Sequence, residues 1–162
     1  MSRIFSSDAI RLAGSVVICM LAGLIGSLFT TPKIATWYAG LAKPSFTPPG
    51  WLFGPVWTLL YILMGIALYL VWRKGLAVSG VRTALAVFAA QLVLNAVWSY
   101  AFFGAESPLA GLVVIVALWA AIAISIALFA PLSRAAALLL VPYILWVSFA
   151  SVLNASVYYL NR

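Results

Sequence analysis

Three apolar stretches carry amide and aromatic side chains at helical spacing. Trp57, Tyr61 and Met64 fall at i, i+4 and i+7; Gln91, Asn95 and Trp98 repeat the pattern; Tyr143, Trp146, Ala150 and Asn154 follow at steps of three and four. On a helix each set shares one face. An amide in hydrocarbon is costly unless it is paired, so Gln91, Asn95 and Asn154 are expected to point inward and to bring Trp57, Trp98 and Trp146 with them. An aromatic lining with a few polar anchors suits a flat, mostly apolar ligand. The same stripes also suit plain packing, which is their commoner use, and buried amides often serve only as hydrogen-bond glue between helices. Pattern alone leaves both roles open.

The residues for most other chemistry are missing. There is no histidine and a single cysteine, Cys19. His-ligated haem and ordinary zinc or iron–sulfur sites are thereby excluded, and the commonest general base is absent. A lone cysteine forms no intrachain disulfide. No catalytic triad or acid–base pair is present to support ordinary turnover. The apolar runs hold no mid-span Asp, Glu, Lys or Arg, which argues against ion pumping.

The elements that must position these residues follow from composition. Of 162 residues 67% are apolar and 7% are charged, with a mean hydropathy of +1.20. A water-soluble domain carries roughly a quarter charged residues, so this chain needs lipid to cover it. Hydrocarbon about 30 Å thick takes about 20 helical residues. Five runs reach that length, at about 10–29, 51–72, 83–103, 108–130 and 134–159. They are apolar on all sides and lack the alternation of a β-barrel. An all-α membrane bundle of five spans, forming one domain, is the expected fold. The first run is longer than a signal-peptide core and ends in Thr30-Thr31-Pro32-Lys33 rather than an Ala-x-Ala site, so a retained helix is expected.

Short breaks at Arg73-Lys74-Gly75 to Gly80-Val81-Arg82, at Gly104-Ala105-Glu106-Ser107-Pro108 and at Pro131-Leu132-Ser133-Arg134 make spans two to five sequential antiparallel neighbours. Pro55 is expected in the first turn of span two, and Pro142 to bend span five early and open space beside Trp146. Gly23 with Ser27, and Ala86 with Ala90, have the small-xxx-small spacing of dimer seams, a spacing common in Ala-rich helices. The loop from Thr30 to about Gly50 differs from the other breaks. It holds Pro32, Lys33, Trp37, Tyr38, Lys43, Pro44, Pro48 and Pro49, and reads equally as a lid or as an interfacial tether.

Charge sets orientation. Nine Lys and Arg face two acids, Asp8 and Glu106, for a net +7. The cations sit at the ends of apolar runs rather than in a dense patch, which argues against nucleic acid. Arg3, Arg11, Arg73, Lys74, Arg82 and Arg134 share one side, and Lys33, Lys43 and Arg162 the other. The positive-inside rule places the N-terminus inside.

Ordered motifs then resemble one family. Trp37-Tyr38-Ala39-Gly40-Leu41-Ala42-Lys43-Pro44-Ser45-Phe46-Thr47-Pro48-Pro49, Gly54-Pro55-Val56-Trp57-Thr58-Leu59-Leu60-Tyr61 and Tyr69-Leu70-Val71-Trp72 are similar to signatures of the tryptophan-rich sensory protein family, which includes the mitochondrial translocator protein or peripheral benzodiazepine receptor. The likeness continues through Gln91-Leu92-Val93-Leu94-Asn95-Ala96-Val97-Trp98, Phe102-Phe103-Gly104, Pro142-Tyr143-Ile144-Leu145-Trp146 and Leu153-Asn154. It implies a five-helix bundle, often a homodimer, whose first loop caps a pocket for porphyrins, sterols or benzodiazepine-type ligands. Transport, sensing and light-dependent porphyrin breakdown are the roles it implies. Matched by motif, the pocket residues are Trp37, Tyr38, Trp57, Gln91, Asn95, Trp146, Ala150 and Asn154, with Trp57 and Trp146 at the tryptophans tied to porphyrin breakdown. Tyr61, Trp98 and Tyr143 join the expected lining through the helical faces. Phe46 stands where the family usually has Trp. Val157-Tyr158-Tyr159-Leu160-Asn161-Arg162 fits a loose cholesterol motif.

The expected function is therefore binding of a tetrapyrrole, with sterol as a further ligand, by a bacterial membrane protein. Porphyrin is a ligand here rather than a required cofactor, with Lys33 or Lys43 placed to meet its carboxylates. Two other functions are weighed: oxidation of a pocket tryptophan beside an illuminated porphyrin, and an interaction subunit without ligand turnover.

Overall fold

The computed structural model describes residues 2–162, and side chains from Asp8 onward; the side chain of Arg3, part of the charge argument, lies outside the described residues. Among these residues the regular structure is entirely helical. The helices are α1 (Ser2–Ile34), α2 (Trp37–Gly40), α3 (Gly50–Trp72), α4 (Val81–Ser99, continued by a π-helical turn Tyr100–Gly104), α5 (Pro108–Phe129), α6 (Arg134–Leu139) and α7 (Val141–Leu160). Five helical stretches are long and apolar enough to cross a membrane: Asp8–Ile34, Gly50–Trp72, Val81–Gly104, Pro108–Phe129 and Arg134–Leu160. The protein is a multi-pass membrane bundle.

The structure corrects several sequence expectations. The first helix runs through Pro32 to Ile34 rather than ending near Phe29. Pro32 lacks the N–H that would bond the Leu28 carbonyl, so the helix loses one bond there and still continues to Ile34. The loop expected from Thr30 to Gly50 also contains the helical turn α2, so only Ala35, Thr36 and residues 41–49 lie outside helices. Pro55 lies inside α3 beyond its first turn, because the helix opens at Gly50. Span five is two helices. The backbone breaks at Leu140, and Pro142 stands in the first turn of α7. Lacking an N–H, Pro142 cannot bond the Leu138 carbonyl, and the ladder resumes with Ile144 N–H on Leu140 O at 3.1 Å. Other ends are capped as the sequence chemistry demands. Ser107 Oγ accepts from Ala110 N at 3.2 Å, and Ser133 Oγ accepts from Ala136 N at 3.3 Å.

The helices close into a ring. α1 packs on α3 and α4, α4 on α5, α5 on α7, and α6 on α3. Glycines set the closest approaches. A Cβ on Gly65 would lie 2.5 Å from the Val16 Cα, and one on Gly23 would lie 2.3 Å from the Tyr61 ring. Gly23 therefore serves packing within the chain, while Ala86 and Ala90 are exposed. Span five meets α3 chiefly through α6, and α7 barely touches it. Beyond the break at Leu140 the gap between α3 and α7 is bridged by side chains instead of close-packed backbones.

Candidate functional site

Aromatic side chains fill that gap. Trp57 stacks on Tyr61 with ring centroids 5.6 Å apart, and its edge meets Tyr143 at 6.2 Å. Phe53, one turn before Trp57, meets Trp146 at 5.8 Å. Trp146 leans on Phe149 at 5.5 Å, and Phe149 meets Phe46 of the loop at 6.3 Å. Ala150, one turn after Trp146, is half-buried and packs against the hydrophobic core.

A hydrogen-bonded amide lies beneath these rings. The Tyr61 hydroxyl donates to Asn95 Oδ1 at 2.5 Å, and Asn95 Nδ2 donates to the Tyr143 hydroxyl at 3.0 Å. All three residues are buried, so α3, α4 and α7 are joined by one amide with both of its ends used. One turn away, Gln91 is less well served. Its Nε2 reaches only Met64 Sδ at 4.0 Å, and its Oε1 has no partner. The buried Trp146 Nε1 also has none. An unpaired polar group in an apolar interior costs about 1–3 kcal/mol.

The remaining expected residues gather at the loop end of the bundle. Trp98 Nε1 donates to Asn154 Oδ1 at 3.1 Å, and Asn154 Nδ2 donates to Pro108 O at 2.7 Å. Asn154 thus ties α4, α5 and α7 together. Trp98 stacks on Phe102 at 5.5 Å. Trp37 and Tyr38 rest on Phe102 and Phe103, at 5.5 and 6.3 Å for Trp37 and 6.2 and 5.6 Å for Tyr38. The π-helical turn makes this seat possible. Ala105 N–H bonds Tyr100 O at 2.7 Å, and the wider turn keeps Ala101, Phe102 and Phe103 all buried. Burial raises the pKa of the Tyr38 hydroxyl.

The eleven sequence-selected residues therefore form two groups. Trp57, Tyr61, Gln91, Asn95, Tyr143, Trp146 and Ala150 line or underlie the α3–α7 gap. Trp37, Tyr38, Trp98 and Asn154 build the end beneath the loop. Phe53, Phe149, Phe102 and Phe103 complete these walls and were not among the selected residues. Their spacing would have found three of them: Phe53 precedes Trp57 by four, Phe149 follows Trp146 by three, and Phe102 follows Trp98 by four.

The lysines near the loop are already engaged. Lys33 Nζ lies 2.7 Å from Glu106 Oε1. Lys43 Nζ folds back onto Ala39 O at 3.2 Å and Leu41 O at 3.0 Å, and sits 4.8 Å above the Tyr38 ring. An incoming carboxylate would compete with Glu106 for Lys33. No three His, Cys, Asp or Glu side chains come together among the described residues.

Known proteins resemble this chain along nearly its full length. The sequence pattern of the TspO/MBR family matches residues 15–160. The tryptophan-rich protein TspO of Chlorobaculum tepidum is 51% identical over 157 residues, covering 96% of this chain and 99% of that protein. That of Archaeoglobus fulgidus is 48% identical over 155 residues, covering 95% and 99%. The human translocator protein is 39% identical over 139 residues, covering 85% and 82%. With its five spans and its aromatic gap beneath the first loop, the chain belongs to the TspO/MBR family.

Proposed function

We propose that the protein binds a tetrapyrrole such as protoporphyrin in the aromatic gap between α3 and α7, and through that binding transports, senses or regulates tetrapyrroles. The observation that carries this reading is the Trp146 indole N–H, buried without an acceptor between Phe53 and Phe149. A flat ligand bearing an acceptor would satisfy it while stacking on the surrounding rings. Relatives named translocator protein and tryptophan-rich sensory protein support a transport or sensing role. The ligand is not a resident cofactor in this reading, and sterol is a further apolar candidate for the same gap. The protein acts as a homodimer in a bacterial membrane, with the N-terminus on the side of Arg11, Arg73, Lys74, Arg82 and Arg134.

Titration of the purified protein with protoporphyrin, followed by tryptophan fluorescence, tests the reading. Saturable quenching is expected, and Trp146→Phe should weaken binding by up to about tenfold, the worth of one hydrogen bond. Absence of saturable quenching overturns it.

A second reading rests on the stack of Trp57 on Tyr61, whose hydroxyl continues into Asn95 and Tyr143. Readily oxidised rings beside a photosensitiser suit light-dependent porphyrin breakdown. Illumination of the complex should then bleach pigment more slowly in Trp57→Phe and Trp146→Phe than in the unaltered protein; equal loss in all three removes this reading and leaves binding alone. An interaction subunit with no ligand is the outcome if neither quenching nor bleaching occurs.

A further inference from the structure

The loop after α1 is fastened to the outer end of α7 by one side chain. Ala42 N–H donates to Asn161 Oδ1 at 2.9 Å, and Asn161 Nδ2 donates to Ala42 O at 2.9 Å. One amide therefore pairs with both backbone groups of one loop residue, as a neighbouring strand would. Asn161 is itself held by a third bond, from Nδ2 to Val157 O at 2.7 Å. Ala42 lies between the two parts of the loop that cover the bundle. Before it, Trp37, Tyr38 and Leu41 pack on Phe102, Phe103 and Val157. After it, Phe46 meets Phe149, the ring that flanks Trp146.

We infer that Asn161 is a positioning residue that latches the loop shut over the α3–α7 gap and so sets how fast a ligand enters and leaves. The inference rests on the proposed binding site. The latch is built to open: Asn161 and Ala42 are both exposed, so water competes for each bond and the pair adds only a modest preference for the closed loop. Of the loop's other fastenings, the ring contacts of Trp37 and Tyr38 are apolar and undirected, and Lys33–Glu106 lies before the loop turns, at the end of α1. Among the described residues, only the Asn161 pairing hydrogen-bonds the covering segment to the end of α7, so its loss lets the segment lift without disturbing a span.

The test has two arms, run on the full chain in lipid nanodiscs. Hydrogen exchange over residues 40–47, without ligand, reads the latch. In Asn161→Ala, exchange there should quicken by roughly tenfold while that of α4 and α5 is unchanged, and Asn161→Asp, which keeps the acceptor for Ala42 N–H, should fall between. Stopped-flow mixing with protoporphyrin reads the door. Association and dissociation should both quicken in Asn161→Ala by a similar factor, about tenfold, so that Kd moves far less than either rate. Arg162→Ala, whose side chain sits on Tyr159, should leave both arms unchanged. Unchanged loop exchange in Asn161→Ala overturns the latch. Faster exchange with unaltered ligand rates overturns the door. Failure of the unaltered protein to bind protoporphyrin overturns the site reading and the door with it, while the exchange arm still decides the latch.

Discussion

At the scale of single residues, the interior uses its few polar groups in two different ways. Both ends of the Asn95 amide are paired, and Asn154 joins three helices, so both work as structural ties. Gln91 Oε1 and Trp146 Nε1 are left over. The distinction predicts opposite mutant behaviour. Asn95→Leu strands the Tyr61 and Tyr143 hydroxyls and should lower stability by about 1–3 kcal/mol in detergent unfolding. Trp146→Phe removes a donor that has no protein acceptor and should leave stability within about 1 kcal/mol, with its effect falling on ligand affinity. Equal stability losses in the two variants would contradict this division. The role of Asn95 as a hub was only partly legible in the sequence. Its helical spacing from Gln91 and Trp98 turned it inward, but its two tyrosine partners lie 34 and 48 positions away, and no local rule pairs them.

At the scale of elements, two irregularities shape the site. The break at Leu140 ahead of Pro142 separates α6, which packs on α3, from α7, which parts from it. Proline chemistry made this bend predictable, although not the conversion of one span into two helices. Pro142→Ala restores the missing N–H, so the span should straighten and close the gap. A higher thermal midpoint with protoporphyrin affinity reduced by about threefold or more is the expected outcome; unchanged affinity would mean that the bend does not shape the site. The π-helical turn at Tyr100–Gly104 is the second irregularity. Nothing in Tyr100-Ala101-Phe102-Phe103-Gly104 announces it, because a π turn is stabilised by what it packs against, here the loop rings. On α3, Gly65→Ala would force its methyl toward the Val16 backbone and should destabilise the α1–α3 pair by about 1–3 kcal/mol, read by unfolding in mixed micelles.

At the scale of the whole molecule, charge is segregated by end. Arg11, Arg73, Lys74, Arg82 and Arg134 are exposed at one end of the bundle, while Lys33 and Lys43 are bound up in contacts at the other. Cys19 is buried, so the native chain is a silent background for thiol labelling. Lys74→Cys should label only from the cytoplasmic side of intact cells, and Ser45→Cys in the loop only from the opposite side; the reverse pattern would invert the orientation. The loop-end ion pair also makes a ligand-specific prediction. Glu106→Gln frees Lys33 and should tighten binding of protoporphyrin, a dicarboxylate, by up to about fivefold, as befits an exposed pair. The dimethyl ester should bind both proteins alike, and an equal gain for the ester would show that charge is not the cause.

That the chain spans a membrane, how many times it does so and which helix faces turn inward can all be read from residue order alone. Each follows from local quantities: apolar length against bilayer thickness, charges at the ends of runs, and side chains repeating every three or four residues. Trp57, Asn95 and Trp146 were legible for that reason. Which inward residues meet was decided only by tertiary structure. The order of helices around the ring, the parting of α7 from α3 and the pairing of Asn161 with Ala42 across 119 positions depend on how five similar apolar cylinders pack. In lipid, apolar pattern turns a helix face inward but does not choose its neighbour. Close approaches at Gly23 and Gly65, and the few directed hydrogen bonds, make that choice here.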